Sequence, residues 1–502
     1  MKKCCTALLI SFMVLLTLMP SLSLADGGRI DKIDANNAMS GIEALCNSSF
    51  EGRQSGTKGN YLAAQWISKQ FEALSLKPYK ENSYLQPFVT SYYEILPPLE
   101  LSLQKDDAWH ALEYQEDFVV FPGSGEAQLE GELVFTGYGI TYEAIGYDDY
   151  ENIDVKGKIA VINDLHYNPI PRPPEMDDDP YEYRLQNALA HGAKGIIFVA
   201  QIGSFNKMMR RMMDRKRVHT LFQDNAPIPV LYIREKVFDQ LLSPETSLND
   251  IYEWVQEHQQ PFELKLNTKA QINVTIDTMP RASHNVIGYI PAVKENTQKS
   301  IVIGTQYDHL GKDLINQDIY HGAVWSASGI ALMLEIARIL QESSWASNYH
   351  IVFIAFSGNE TNLEGSRHYL HHPLFPVKDI QLMFNFNAVG TILCSNWMII
   401  SNTYEYHPVA YRDLIKHSKA YLSHEHRLID LTRDHLYQSA RLPIDADTFH
   451  QSKVPFIYIF AYDACYEWQY FRTPRDTPDI ISPELIRESG NFLLQLIQLS
   501  LD

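Results

Sequence analysis

Five short segments in the carboxyl half of the sequence gather side chains able to bind a cation or move a proton. They are Gln306-Tyr307-Asp308-His309-Leu310-Gly311, Gly322-Ala323-Val324-Trp325-Ser326-Ala327-Ser328-Gly329, Phe356-Ser357-Gly358-Asn359-Glu360, Asn385-Phe386-Asn387 and Tyr470-Phe471-Arg472-Thr473-Pro474. Imidazole and carboxylate are donors that zinc accepts, and the same groups serve as general acids and bases. His309, His321, Asp308, Asp318 and Glu360 supply enough donors for one metal site, although hydrogen bonding in a packed interior is the commoner use of such residues. Two further histidine groups stand out, Arg367-His368-Tyr369-Leu370-His371-His372 and His424-Glu425-His426. Helical spacing aligns His368 with His372 on an exposed face, and neither group has the His-Glu-x-x-His pattern of a zinc protease. No glycine-flanked nucleophile elbow is present, and Cys394 and Cys465 read as packed thiols. Asp177, Asp178 and Asp179 follow Pro171, Pro173 and Pro174 and read as a solvated loop rather than a calcium site.

Each of the five segments sits just beyond an apolar run or opens a helix, and that placement says which elements must hold them. Ile301-Val302-Ile303, Ile351 to Phe356, Leu382 to Phe386 and Phe456 to Phe460 are continuous apolar stretches, as expected of strands buried on both faces of an α/β sheet. Ligands of such sheets bind at the carboxyl ends of the strands. A helix over about Ser328 to Gln341 carries Ile330, Met333, Leu334, Ala337 and Leu340 at helical spacing, with Ser326 or Ser328 as its expected cap. Near the amino terminus, Ala63, Trp66, Ile67, Phe71 and Leu74 mark another helix, placed behind the turn Gly56-Thr57-Lys58-Gly59 and stopped at Leu76-Lys77-Pro78.

Between these two regions the pattern changes. Residues 115–279 hold short strands between glycine turns, among them Gly131 to Phe135 and Ile228 to Ile233. They also hold a helix from Tyr183 to His191, a turn at Gly192 to Gly195 and a strand from Ile196 to Ala200. Asn206 to Arg217, rich in Met, Lys and Arg, reads as a surface excursion. The expected organisation is therefore a signal peptide at 1–25, one α/β domain with a mainly parallel mixed sheet built from 26–114 and 280–502, and an inserted β-rich domain at 115–279.

Lys2 and Lys3, the apolar stretch Ala7 to Met19, and small residues at Ser23 and Ala25 make residues 1–25 an expected export signal, giving a secreted or periplasmic chain. Its removal leaves 40 basic residues against 61 acidic, a balance that repels nucleic acid and anionic lipid. No later segment has 18 uninterrupted apolar residues, so no membrane span is expected after the signal. The three cysteines beyond it, Cys46, Cys394 and Cys465, are an odd number, so at most one disulfide forms.

The five segments, in this order and over nearly the whole chain beyond the signal, resemble metallopeptidase family twenty-eight, the exported two-zinc aminopeptidases with their glutamate carboxypeptidase and transferrin-receptor relatives. Phe50 to Pro78 resembles the amino-terminal segment of that family, and the insert resembles its protease-associated domain. The resemblance implies two zinc ions held by His, a bridging Asp, Glu, Asp and His, with a second Glu as base. Carried onto this chain, the first His falls at Gln306, the bridging Asp at Val324 with Trp325 next to it, the base at Asn359, the ligand Glu at Glu360, the second Asp at Asn387 and the last His at Arg472. Asp308, which in the family orients the first His, is kept. Valine has no donor atom, asparagine cannot take a proton from water and arginine does not coordinate metal. The expectation is a hydrolytically inactive relative with no cofactor, binding a peptide or protein through the old cleft or the insert. The alternative is an active metallo-aminopeptidase with an atypical or relocated zinc site.

Overall fold

The computed structural model describes residues 33–164, 169–176, 179–200, 226–243, 246–343, 347–393, 396–402, 427–432, 444–462 and 469–501. The expected export signal, the Asn206 to Arg217 excursion, Asp177, Asp178, His424 to His426, Cys394 and Cys465 lie outside these residues.

The α/β unit begins with helices α1 (Ala35–Leu45) and α2 (Lys58–Ala73). Asp34 caps the first by accepting from the amides of Asn36 and Asn37, and Thr57 caps the second by accepting from the amide of Asn60. Both caps satisfy amides that the first helical turn leaves unbonded. Of the expected apolar face of α2, Ala63, Ile67 and Phe71 are fully buried, while Trp66 and Leu74 pack at its margin.

Strands β1 (Leu85–Thr90), β2 (Arg281–Ile290), β3 (Ser300–Gln306), helix α3 (Ser328–Glu342), strand β4 (His350–Phe356), helix α4 (Glu364–His371), strands β5 (Ile380–Asn387), β6 (Asn396–Ser401) and β7 (Arg427–Thr432), helix α5 (Asp445–Gln451), strand β8 (Phe456–Tyr462) and helix α6 (Pro483–Leu501) complete the unit. Across the sheet the order is β2-β4-β3-β5-β8-β6-β7, with β1 and Lys77–Pro78 also pairing with β2. The four strands expected from the apolar runs, β4, β3, β5 and β8, are consecutive and mutually parallel, whereas β2 joins β4 and β6 joins β8 antiparallel. This mixed, mainly parallel centre is the sheet the sequence predicts. Every residue of β3 is buried, because helices cover both faces.

Helix α3 departs from expectation at its start. No serine side chain caps it; a π-helical turn, Ala323–Ala327, runs into it instead. The Ser328 hydroxyl donates to the Val324 carbonyl at 2.6 Å and so joins the two. The combined stretch Ala323–Glu342 has the length and apolarity of a membrane span, yet 89% of its apolar window is buried inside the fold, as befits a core helix.

The second sheet has eight strands in the order Ala108–Ala111, Glu94–Lys105, Lys269–Asp277, Ala127–Phe135, Ile159–Asn163, Gly195–Ala200, Val230–Arg234, Phe118–Val120. Its middle is parallel and its flank antiparallel. It has its own apolar clusters, one around Phe135, Tyr138 and Ile251 and another around Phe121, Phe198 and Tyr232. Glu94–Lys105 and Ala108–Ala111 belong to this sheet, so it starts about twenty residues before the boundary expected at 115. The sequence reading missed this because the period-2 pattern of Glu94 to Lys105 does not say which sheet it joins. Asp179, the one described residue of the acidic run, caps helix Pro180–Ala190.

Candidate functional site

Parallel alignment brings the ends of β3, β4, β5 and β8 to one edge of the sheet, and the five segments meet there. Gln306 ends β3 and Asn387 ends β5, on hydrogen-bonded neighbouring strands. The Asn387 amide donates to the Gln306 side-chain oxygen at 3.3 Å, and the Thr305 hydroxyl donates to the Asn387 oxygen at 2.7 Å. Both amides are fully buried. Where the family resemblance puts an imidazole and a carboxylate, this chain has a pair of neutral side chains bonded to each other.

The turn after β4 carries Asn359 and Glu360. Asn359, also fully buried, donates to Asp445 Oδ2 at 3.0 Å, and Asp445 is in the first turn of α5. The Glu360 carboxylate is approached from two sides, by Arg472 Nη2 at 3.4 Å and by His309 Nδ1 at 3.6 Å. Its backbone amide donates to Asp308 Oδ2 at 3.1 Å. Arg472, only 3% exposed, has its guanidinium 4.5 Å from the Phe471 ring centre and 5.9 Å from that of Trp325. Those two rings meet edge to face at 4.5 Å. A buried cation here has a carboxylate for its charge and two aromatic rings for its plane, the surroundings that suit a guanidinium. Its backbone has φ of 59° and that of Ala388, just after β5, φ of 51°. Left-handed backbone in residues with a Cβ is strained, and such strain clusters where side chains must be aimed.

Val324 is fully buried in the π-helical turn and Trp325 is 4% exposed. Asp476 serves the amides of this turn: its carboxylate accepts from Val324 N at 2.8 Å and Trp325 N at 3.3 Å, and its carbonyl accepts from Ala323 N. A carboxylate at a helix amino terminus is favoured by both the free amides and the dipole. Arg53 braces the same turn from below. Fully buried, it donates to the carbonyls of Tyr307 (2.8 Å), Gly322 (3.3 Å) and Leu45 and to the Ser326 hydroxyl (2.8 Å). Burial lowers the Arg53 pKa from its ordinary value, with the negative charges of Asp476 and Asp308 acting the other way.

Sequence reasoning placed Gln306, Asp308, Val324, Trp325, Asn359, Glu360, Asn387 and Arg472 around one pocket, and the structure brings all eight to this edge. It passed over Asp445, Asp476 and Arg53. Asp445 and Asp476 look in sequence like ordinary polar residues of loops and helix starts; only the fold turns them inward. Arg53 lies within the segment Phe50 to Pro78, but no local pattern assigns it a partner.

The relocated-metal set does not assemble. His309 faces Glu360, while His321 Nδ1 is bonded to the Cys46 carbonyl at 2.7 Å and Asp318 is exposed on the hairpin Gly311–Lys312/Ile319–Tyr320. Among the described residues no three His, Cys, Asp or Glu side chains converge as a metal site would need. Burial lowers the His321 pKa, and burial raises the Cys46 thiol to about 12, so that cysteine is a packed, protonated thiol rather than a nucleophile.

Residues 285–497 match the model of peptidase family M28. Aminopeptidase YwaD of Bacillus subtilis strain 168 is 28% identical over 280 residues, 55% of this chain and 48% of that protein; the chain thus spans about half the length of this relative. Among solved structures, an aminopeptidase from Aneurinibacillus sp. strain AM-1 superposes with a TM-score of 0.61 at 20% identity, covering 93% of this chain and 94% of the other. The zinc aminopeptidase BSAP from Bacillus subtilis gives 0.60 at 21% identity over 94% and 96%. A peptidase M28 precursor from Shewanella amazonensis SB2B gives 0.56 at 16% identity over 92% and 93%. At these identities the structures establish the shared fold.

One expectation is corrected by these relatives. The sequence reading assigned no cofactor, but a solved protein of the same fold is a zinc aminopeptidase, so zinc is the cofactor that goes with this family. The donor set at the edge of this sheet does not fit a two-zinc centre: it offers two mutually bonded amides, an apolar Val324, and one carboxylate, Glu360, already facing a guanidinium. No chemical step through zinc is therefore derived from it. The chain thus has the fold of these solved aminopeptidases, and its residues 285–497, which hold all five segments, match the model of peptidase family M28.

Proposed function

We propose that this chain is an aminopeptidase-fold protein that has lost two-zinc peptide hydrolysis and acts by binding a peptide or protein. The observation that carries the reading is the state of Asn359 and Glu360, the two positions where hydrolysis needs a base and a ligand carboxylate. Asn359 spends its amide on Asp445, and Glu360 lies against Arg472 and His309. An asparagine cannot take the proton that an attacking water must lose. Trp325 and Phe471 occupy the interior beside them, which favours the insert, or the rim of the cleft, over its floor as the partner surface. Such a chain, exported by its amino-terminal signal and carrying a protease-associated insert, would recognise substrates of its active relatives without cleaving them.

The test is a panel of aminoacyl-nitroanilides with the purified full chain, run with and without added zinc, beside metal analysis of the same sample. No turnover above buffer, together with saturable binding of an unlabelled peptide in calorimetry, is the expected result. Zinc-dependent turnover in the unmodified protein overturns the reading in favour of an atypical metallo-aminopeptidase.

A further inference from the structure

The last turn of α4 carries a feature that the pocket does not use. His368 and His372 stand one helical turn apart, where side chains share a face. Their rings stack at 4.5 Å between centres with 26° between planes. His368 is half-buried and backed by the Phe88 ring at 5.6 Å, while His372 is exposed. Four hydrogen bonds hold the turn: the His372 amide donates to the carbonyls of His368 and Tyr369, and the His372 carbonyl accepts from Gln86 Nε2 at 2.8 Å and Tyr79 OH at 3.2 Å. His372 Nδ1 lies 3.3 Å from the His368 carbonyl. A carbonyl only accepts, so in the neutral ring this contact puts the proton on Nδ1 and leaves the lone pair on Nε2.

The geometry points to a surface site for one divalent transition-metal ion, chelated by His368 and His372. Two imidazole nitrogens bound to one zinc at about 2.0–2.1 Å stand roughly 3.3 Å apart in tetrahedral geometry. The stacked rings are close enough for that spacing. Because an imidazole lone pair lies in its ring plane, chelation requires the exposed His372 ring to rotate out of the stack until the two planes converge on the ion, while Phe88 holds its partner in place. The backbone between them is already wound, so little order has to be imposed on binding. Glu364, on the same helix, is engaged with Thr90 and Ser91. His371 falls about 100° around the helix from His372. The protein thus supplies two ligands and water supplies the rest, an arrangement for which Cu²⁺ binds more tightly than Ni²⁺ or Zn²⁺.

The probe is the metal alone, Cu²⁺ or Ni²⁺, titrated calorimetrically into untagged full-length protein, with retention on immobilised nickel as a second readout. One ion per chain is expected. His372→Ala and His368→Gln should each weaken binding at least tenfold, since losing a ligand costs no less than losing an outer-shell partner, roughly 10–100-fold. His371→Ala should bind as the parent does. His372 is exposed, so its variant should keep the parental melting curve without metal and lose only the metal-induced rise in Tm. Parental affinity in both His368→Gln and His372→Ala overturns the proposal. So does an equal loss in His371→Ala, which would mark diffuse attraction to a histidine-rich turn rather than a chelating pair.

Discussion

Replacing Arg472 by alanine removes the cation closest to Glu360 while leaving that carboxylate 3% exposed. Breaking a buried ion pair by deleting one partner costs roughly 3–5 kcal/mol, because the remaining charge is left without compensation. The lower end applies here. The Arg472 to Glu360 contact is 3.4 Å, longer than the usual charge-assisted bond, and His309 stands 3.6 Å from the other oxygen. Against that, the guanidinium also loses its contact with the Phe471 ring. A loss of about 3 kcal/mol follows. Reversible urea unfolding at neutral pH measures it, in a cycle of Arg472→Ala, Glu360→Gln and the double variant. Glu360→Gln in the Arg472→Ala background should recover part of the loss, since it removes the stranded charge and keeps the shape. Additive single effects, or an Arg472→Ala variant as stable as the parent, would refute the idea that these two side chains neutralise each other in the pocket.

Val324→Asp alone should show no hydrolysis of aminoacyl-nitroanilides. The combination of Gln306→His, Val324→Asp, Asn359→Glu, Asn387→Asp and Arg472→His is the smallest change expected to give zinc-dependent turnover, and activity from the single change would contradict the donor-set argument. Asp149 is fully buried, and burial raises its carboxyl from 3.8 to about 7 despite the amides of Tyr138 and Ile140 and the Tyr147 hydroxyl that bond it. The folded state therefore holds this proton more tightly than the unfolded one, so the stability it contributes is full below about 3.8 and is lost as pH rises through about 7. Unfolding followed across that range should show the slope in the parent and a weaker one in Asp149→Asn. Limited proteolysis should cut beside the linkers near residues 91–93 and 278–280 without releasing a stable carboxyl half, because β1, α1 and α2 complete the core. A fragment 280–502 that folds alone would contradict this.

The main sheet was legible because each of its central strands is a continuous apolar run, and a strand buried on both faces has no other pattern to show. The pocket was legible for a related reason, since residues following such runs must lie at the carboxyl edge. What the sequence hid falls into two kinds. Glu94 to Lys105 alternates like any half-buried strand, and only its partner Lys269–Asp277 assigns it to the second sheet. Asp445, Asp476 and Arg53 act through partners tens or hundreds of residues away, Asn359, Val324 and Tyr307 among them, and no local window contains both halves of such a pair. The helix α3 start was misread for the same reason: a nearby serine was expected to cap it, whereas the carboxylate at that amino terminus comes from Asp476, about 150 residues on.

The reach of Arg53 also sets an order of events in time. Its partners Tyr307, Gly322 and Ser326 lie 254 to 273 residues later in the chain, and the apolar faces of α1 and α2 pack on elements just as remote. At roughly 5–20 residues per second of synthesis, the amino-terminal helices wait on the order of tens of seconds for β3 and α3 to be made. During that interval the whole second sheet can be completed, while Ile42, Leu45 and Ile67 still lack the later elements of the core cluster they share. The chain is thus most exposed to wrong partners before its first segment has met its last, and a helper that shields residues 35–73 would act on the newborn chain rather than on the finished fold.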